Sequence, residues 1–324
     1  MIRYRPFLNT DTPYLVDVWR QQPHIRGLFS AVTRDLFDQQ IFSKPYFENR
    51  GLILALEDSG VDSAPPLPLG FVHAGFAPNA TLSDLDRTVG IISQLKMVPG
   101  DRAAEVGRGL LEQGIQYLKQ AGSTIAHVGG NFPNAPFYQG LYGGSRIPGV
   151  LDADHVSRTA LTEFGFQVAD QVLLLERNLV GFRAQVDRDQ MTLRRQFQIK
   201  AIADPLETTW WESCTFSLAE RDRFTVFHKT KREYVGAVSF WDMQPLASQF
   251  GESCRGMYDL SVNAELRRGG MATFLVGEAL RHLMQQGIGR VEVQVRQSDA
   301  PSIGVFKKLG FEPVAQGALM FKEL

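Results

Sequence analysis

Short apolar or alternating runs and longer amphipathic segments succeed one another along the chain, and the succession occurs twice. IRYRPF (2–7) and QFQIKAI (196–202) read as opening strands, each followed by an Asp-then-Pro helix start at Asp11/Pro13 and Asp204/Pro205. LILALED (52–58) and RFTVFHKT (223–230) read as strands that turn back into further strands at 69–76 and 234–241, which makes antiparallel hairpins. The first connection, DSGVDSAPPLP, is long and turn-rich; the second, KTKRE, is short. Strands at 93–98 and 257–262 lead into glycine-bearing loops and then helices. In the second of these helices Met271, Phe274, Leu275, Ala279, Leu280 and Leu283 share one face at a 3.6-residue period. Gly122 and Gly287 stand where a left-handed residue would end each helix. Another strand and a second helix follow, each copy closing on Gly-Phe.

The two copies align directly. Met97 of MVPGDRAAEVGRGLLEQ matches Val262 of VNAELRRGGMATFLVGE, an offset of 165 residues. The same offset pairs Arg102 with Arg267, Gly107 with Ala272 and Gly122 with Gly287, and brings TIAHVGG (124–130) onto GRVEVQV (289–295). Gly70 corresponds to Gly236 with a slip of one, while Phe166 corresponds to Phe311 at an offset of 145. The first copy therefore carries an insertion, GGNFPNAPFYQGLYGGSRIPG (129–149), in which Asn131, Phe137, Tyr138, Tyr142 and Arg146 stand among glycines and prolines. Such a loop is expected to shape an acceptor pocket or to pack between the halves. Residues 178–194 show no clear strand and read as the linker, so the expected domains are 1–181 and 182–324. Each is expected to be a mixed, mostly antiparallel sheet flanked by helices, an α/β (α+β) arrangement.

Composition narrows the partners. Of 324 residues 44% are hydrophobic and 21% charged, and the formal charge is -1, which disfavours a broad electrostatic grip on nucleic acid or anionic lipid. No apolar stretch reaches the about 18 residues needed to span a bilayer. The first residues lack a secretory apolar region, and two cysteines make no disulfide framework, so the cytoplasm is the expected compartment. The six histidines are scattered without metal-ligand spacing, and no metal is expected.

The chemistry concentrates at LRRGGMATFL (266–275), where a strand turns into a helix. A helix N-terminus offers unpaired N–H groups and the positive end of its dipole. Gly269 and Gly270 would let a phosphate approach the backbone, and Arg267 and Arg268 add charge. The loop is neither a P-loop nor a G-x-G-x-x-G turn. Arg-x-x-Gly-x-Ala (267–272), after a strand ending Leu260-Ser261-Val262 and before a terminal Lys-Leu-Gly-Phe (308–311), resembles the GNAT acyltransferase superfamily. The resemblance recurs once per half, so the chain looks like two tandem GNAT domains, an arrangement similar to that of the mycothiol synthases.

The resemblance implies an acyl-CoA cosubstrate, acetyl-CoA in the first instance, in a cleft where the strands at 257–262 and 290–295 splay apart. Leu260 and Val262 would pair with the pantetheine amides, and Arg267, Arg268, Gly269, Gly270 and Ala272 would hold the pyrophosphate. The backbone N–H of Val262 would face the oxyanion, and Tyr258 or Asp259 stands nearest the family's general base. In a regular strand Asp259 would point to the opposite face from Tyr258. Phe306 occupies the position of the family's thiolate-protonating Tyr, without a hydroxyl, and Asp299 that of a cofactor-contacting Asn. The first half keeps Arg102 and Gly107 but has Glu105 where the middle Gly belongs, so its acyl-CoA loop is degenerate. The function implied is acetylation of a small-molecule amine by direct attack on the thioester, by a monomer or homodimer. The competing reading is a catalytically silent acyl-CoA-binding sensor or scaffold.

Overall fold

The computed structural model describes all residues except 59–64, 130–133, 135, 185–186 and 217–218, with backbone alone for 244–246. Asn131 of the long insertion lies outside the described residues. The first copy runs β1 (Ile2–Pro6), α1 (Thr12–Arg20), α2 (Arg34–Phe37), β2 (Leu52–Glu57), β3 (Leu67–Pro78), β4 (Leu85–Met97), α3 (Ala103–Gln120), β5 (Ile125–Val128), β6 (Val150–Leu151), α4 (His155–Glu163) and β7 (Gln167–Asn178). The second runs α5 (Arg188–Gln196), β8 (Phe197–Ala203), α6 (Trp210–Phe216), β9 (Arg221–His228), β10 (Tyr234–Asp242), α7 (Gln244–Phe250), β11 (Cys254–Val262), α8 (Met271–Gln285), β12 (Arg290–Arg296), α9 (Ala300–Lys308) and β13 (Glu312–Glu323). Among the described residues no helix is long and apolar enough to cross a membrane.

The compact units interleave the copies. The first comprises Met1–Val172, Thr208–Ser217 and Ala315–Leu324; the second comprises Leu173–Glu207 and Leu218–Val314. A cut near residue 182 thus divides the repeat in the sequence, whereas packing gives α6 and the end of β13 to the first unit. In that unit β1-β2-β3-β4-β5-β13 lie side by side, antiparallel except for the parallel pair β4·β5. In the second unit the order is β8-β9-β10-β11-β12, again antiparallel except for one parallel pair, β11·β12. Parallel neighbours need a crossover, and α3 and α8 supply it.

The apolar stripe expected on α8 is the core of the second unit: Met271, Phe274, Leu275, Ala279, Leu280 and Leu283 are all buried, against Phe224, Val226, Val238 and Met257 of the sheet. Gly122 and Gly287 adopt φ of +99° and +85° immediately after α3 and α8, as a left-handed helix stop requires. Two expectations fail locally. Asp204-Pro205 does not open a helix: Asp204 has φ +44° and its N–H bonds to the Arg221 carbonyl, so the chain turns and helix resumes only at Trp210. The stretch read as linker contains α5, capped by Asp187, whose carboxylate accepts the Gln190 N–H at 2.8 Å. Its sequence is too polar to show a hydrophobic period; the Asp-x-x-Gln cap was its available signal.

The first unit encloses two buried cations. Lys96 is ion-paired with Asp154, and the Tyr142 hydroxyl donates to the same carboxylate at 2.9 Å while accepting the Leu151 N–H at 2.8 Å. Burial pulls the Lys96 ammonium below its usual range. Burial pushes the Asp154 carboxyl up, yet Lys96, Ser157 and Tyr142 together hold it below the usual range. Lys44 is also buried, donating to the Thr215 carbonyl at 2.8 Å, and burial lowers its pKa to about 8.

Two outcomes are expected. Asp154→Ala leaves the Lys96 charge uncompensated and costs about 3–5 kcal/mol, read from urea unfolding. Between pH 8 and 10.5 unfolded Lys44 keeps a proton that the folded chain has released, so stability rises with pH across that window. The rise is about 3 kcal/mol. Lys44→Met lacks it when urea midpoints are compared at the two ends.

Candidate functional site

Strand β11 is irregular at the position that matters. Its pairing with β10 passes from Ala237↔Ser261 to Ser239↔Tyr258, so Val238 alone faces Asp259 and Leu260. This is a β-bulge, and Asp259 takes φ +52° to form it. Regular alternation would have sent Asp259 away from Tyr258. The bulge instead lets its carboxylate meet Arg223 of β9, whose Nη1 donates to Asp259 Oδ2 at 3.1 Å and to Ser239 Oγ at 3.3 Å. Arg223, Ser239 and Tyr258 are successive cross-strand partners and so share one sheet face. Tyr258 is buried there. Arg223 and Ser239 carried no sequence signal, since nothing local says that an arginine on one strand will meet a bulge two strands away.

The parallel ladder of β11 with β12 ends at Gly256↔Glu292, although β11 continues to Val262 and β12 to Arg296. Beyond the last pair the strands part, and one edge of β11 faces a slot. At the far end of the slot lies the start of α8. Arg267 is extended and donates from Nε to the Val262 carbonyl at 2.9 Å, bracing the strand end. Arg268 and Gly270 both take left-handed backbone, φ +62° and +80°. Helix begins only after Gly270, whose carbonyl accepts the Phe274 N–H at 2.9 Å. The N–H groups of Met271, Ala272 and Thr273 therefore have no carbonyl within the helix to bind. A cavity of about 490 Å³ lies at this helix start, lined by Arg268, Gly269, Gly270, Thr273 and Lys308 and, from the start of α5, by Asp187, Asp189, Gln190, Thr192 and Leu193. Two cations and two carboxylates line it, and the open N–H groups and dipole of α8 add positive character at the glycine end. Another cavity of about 510 Å³, between β8 and α8, is lined by the middle and C-terminal end of α8 and the end of α5, with no helix N-terminus in its lining.

Leu260 and Val262 are half-buried along the slot and pack against the second unit's core. Asp299 caps α9, its carboxylate accepting the Ser302 N–H at 3.1 Å and hydroxyl at 2.7 Å. Phe306 is buried in the core with its ring 5.4 Å from that of Phe311. Cys254 is fully buried at the start of β11, where the ladder is still closed.

The first unit repeats the geometry and closes it. Its β4 carries the corresponding bulge at Ser93, between His73↔Gln94 and Ala74↔Ile92. Its parallel ladder ends at Ile92↔Val128 while β4 continues to Met97. The widening is filled by the Lys96–Asp154 pair, Tyr142, Gly149 and Val150, and the residual cavity measures only about 10 Å³. Helix α3 starts at Ala103, whereas alignment with Met271 would start it at Val106. Glu105 lacks the left-handed freedom of Gly270, so the phosphate loop winds into an extra helical turn. The Ala103 and Val106 N–H groups bind the Gly100 and Arg102 carbonyls at 3.0 Å each. The Arg102 guanidinium is taken by Glu57 at 2.6 Å and Glu105 at 3.0 Å. Gly107 is buried where an added Cβ would meet Ala160 and Met97 at 3.2 Å, so it serves the packing of α3 on α4.

Comparisons with known proteins bear on the same segment. Residues 189–311 match the family described as Acetyltransferase (GNAT) family. A mycothiol acetyltransferase of Saccharomonospora viridis is 32% identical over 121 residues, 37% of this chain and 37% of that protein. A GCN5-related glucosamine N-acetyltransferase region of a fungal multi-domain β-N-acetylglucosaminidase superposes with a TM-score of 0.72 at 16% identity, over 99% of this chain and 38% of the other. A tandem GNAT protein from the clavulanic acid biosynthesis pathway superposes with a TM-score of 0.63 at 14% identity, over 100% and 98%. This chain thus spans well under half the length of the first two, and the two structures are alike in fold.

The two glycines of the mouth should respond differently to a side chain. Gly270→Ala forces an L-residue to φ +80° with its Cβ 3.3 Å from Gln190 Nε2. It should cost on the order of 1–2 kcal/mol by urea unfolding. Gly269→Ala, whose Cβ meets nothing nearer than the Leu266 carbonyl oxygen at 3.8 Å, should cost less.

Proposed function

We propose that this chain, whose residues 189–311 match the GNAT acetyltransferase family, is an acyl-CoA-dependent N-acyltransferase, using acetyl-CoA to acetylate a small-molecule amine at its second unit. The observation that carries the reading is the conjunction of a diverging parallel strand pair with an open, glycine-bearing helix mouth at its end, where Arg268 and Lys308 stand. A long, thin ligand with an anionic tail fits that shape. The parted edge of β11, at Leu260 and Val262, offers backbone groups to the amides of a pantetheine arm. Arg267, Arg268, Gly269, Gly270 and Ala272, with Lys308, offer donors and charge to a pyrophosphate.

Acetyl-CoA supplies an activated acyl thioester, and the protein's part is to orient, to withhold water and to handle protons. The bulge leaves the Asp259 carboxylate half-exposed on β11, and in this reading it takes the proton that the acceptor ammonium must lose before attack. Tyr258 is buried on the same face. The Val262 N–H remains the assigned donor to the oxyanion, and the positions of Asp299 and Phe306 along α9 border the cofactor arm. Phe306 has no proton to give, so thiolate release rests on the low basicity of the thiolate itself. Direct attack by the amine is favoured over a cysteinyl intermediate, because Cys254 is sealed in the closed part of the ladder.

The first unit enters this reading as support. Its slot is filled, its loop is wound into helix, and Arg102 is neutralised by two carboxylates. One acetyl-CoA per chain is therefore expected from calorimetry, with a rise in melting temperature at saturating ligand. Gly270→Glu, which gives the second loop the residue of the first, should abolish the shift. The reading fails if no acyl-CoA shifts the wild-type chain. Binding without release of free CoA thiol across a broad amine panel would favour a silent acyl-CoA binder.

A further inference from the structure

The acceptor amine leaves a trace in the surroundings of the bulge. Arg223 carries five N–H donors. Its described protein contacts, to Ser239 Oγ and Asp259 Oδ2, are both made by Nη1. The side chain is only 29% exposed, so the guanidinium is drawn well out of water without being matched by protein acceptors on its Nε and Nη2 side. Neither Nε nor Nη2 is among the buried atoms without a partner, so that side stays open to a ligand. A guanidinium that presents two parallel N–H groups at a partly dry site fits a planar carboxylate in bidentate fashion.

Asp259, its neighbour at 3.1 Å, is 47% exposed and held in left-handed backbone by the bulge. Such strain in a non-glycine residue persists where the surroundings impose it, and bulges re-aim side chains beside functional sites. The pair therefore offers one cationic and one anionic contact side by side. An amine that itself carries a carboxylate a few bonds away is the complementary pattern: ammonium to Asp259, carboxylate to Arg223. A polyamine or a neutral amino sugar would satisfy Asp259 and leave the open side of the guanidinium unmatched.

We propose that the acceptor is a zwitterionic amino carboxylate, an amino acid or a molecule with a free amino-acid end, and that Arg223 is the residue that selects it. This rests on the acetyltransferase reading of the second unit and specifies its substrate class. Arg223 binds and orients the acceptor and takes no part in bond making. The transfer balances: the ammonium gives one proton to the Asp259 carboxylate and on to solvent, the neutral nitrogen forms the C–N bond, the thioester C–S bond breaks with its electron pair leaving on sulfur, and the second nitrogen proton is shed to solvent as the amide forms while the CoA thiolate takes one proton from solvent.

The test uses the full chain with acetyl-CoA. Amino acids are paired with the amines obtained from them by decarboxylation, and CoA thiol release is followed for each. The wild-type chain should prefer the amino acid within pairs. Arg223→Gln should lower the ratio of kcat/KM for amino acid over decarboxylated amine by about tenfold to a hundredfold, mainly through KM. Arg223→Lys should recover part of the ratio, as a single charge without the bidentate fork would. The proposal is overturned if decarboxylated amines are used as well as their parents, or if Arg223→Gln depresses both members of a pair equally. The latter marks Arg223 as a mere brace for Asp259. If neither class is turned over, calorimetric titration of both onto the CoA-saturated chain decides, and absence of amino-acid binding overturns the proposal. Acetyl-CoA binding is measured separately. Its presence with a failed ratio test refutes the acceptor class alone, and its absence refutes the enzyme reading as well.

Discussion

Two parallel strands that begin hydrogen-bonded and then part leave a gap, and a protein interior does not keep gaps. Everything distinctive about this chain follows from how each copy meets that constraint. In the first unit the gap beyond Ile92 and Val128 is filled from within, by Tyr142 and Gly149 of the inserted loop, by Val150 of β6 and by the Lys96–Asp154 pair. In the second the strands part after Gly256 and Glu292 and lead to a cavity of about 490 Å³ at the start of α8. The same architecture is thus packed shut once and left leading to a cavity once.

Filling the first gap placed an ionised pair inside the protein, at a desolvation cost that only close pairing and further hydrogen bonds offset. Tyr142 provides those bonds, and it comes from the insertion that the second copy lacks. The loop, the buried pair and the filling of the gap between β4 and β5 are one structural event. The helix mouth tells the same story at smaller scale. Gly270 turns left-handed and leaves three N–H groups free, whereas Glu105 continues the helix and spends them.

Much of this was legible beforehand. The doubled pattern, the offset of 165, the apolar face of α8 and the Arg-x-x-Gly-x-Ala loop are local or periodic features, and local propensity fixes them. The difference between Glu105 and Gly270 was equally plain in the letters. Helix α5 escaped notice because it is polar on nearly every side. The Asp204-Pro205 start misled because Asp204 is drawn into a turn by Arg221, a partner distant in the chain. Regular alternation put Asp259 on the wrong face, since a bulge is set by the register of two strands together.

The sequence by itself determined that the pattern is doubled, where most strands and the long helices α3 and α8 lie, and which copy keeps the Arg-x-x-Gly-x-Ala loop. Only the tertiary structure decided that the first slot is plugged, that α6 and the end of β13 pack with the first unit, and that Asp259 meets Arg223. The reason is separation along the chain. Lys96 and Asp154, Lys44 and Thr215, and Arg223 and Asp259 lie 58, 171 and 36 residues apart, and no local preference encodes which of them will touch.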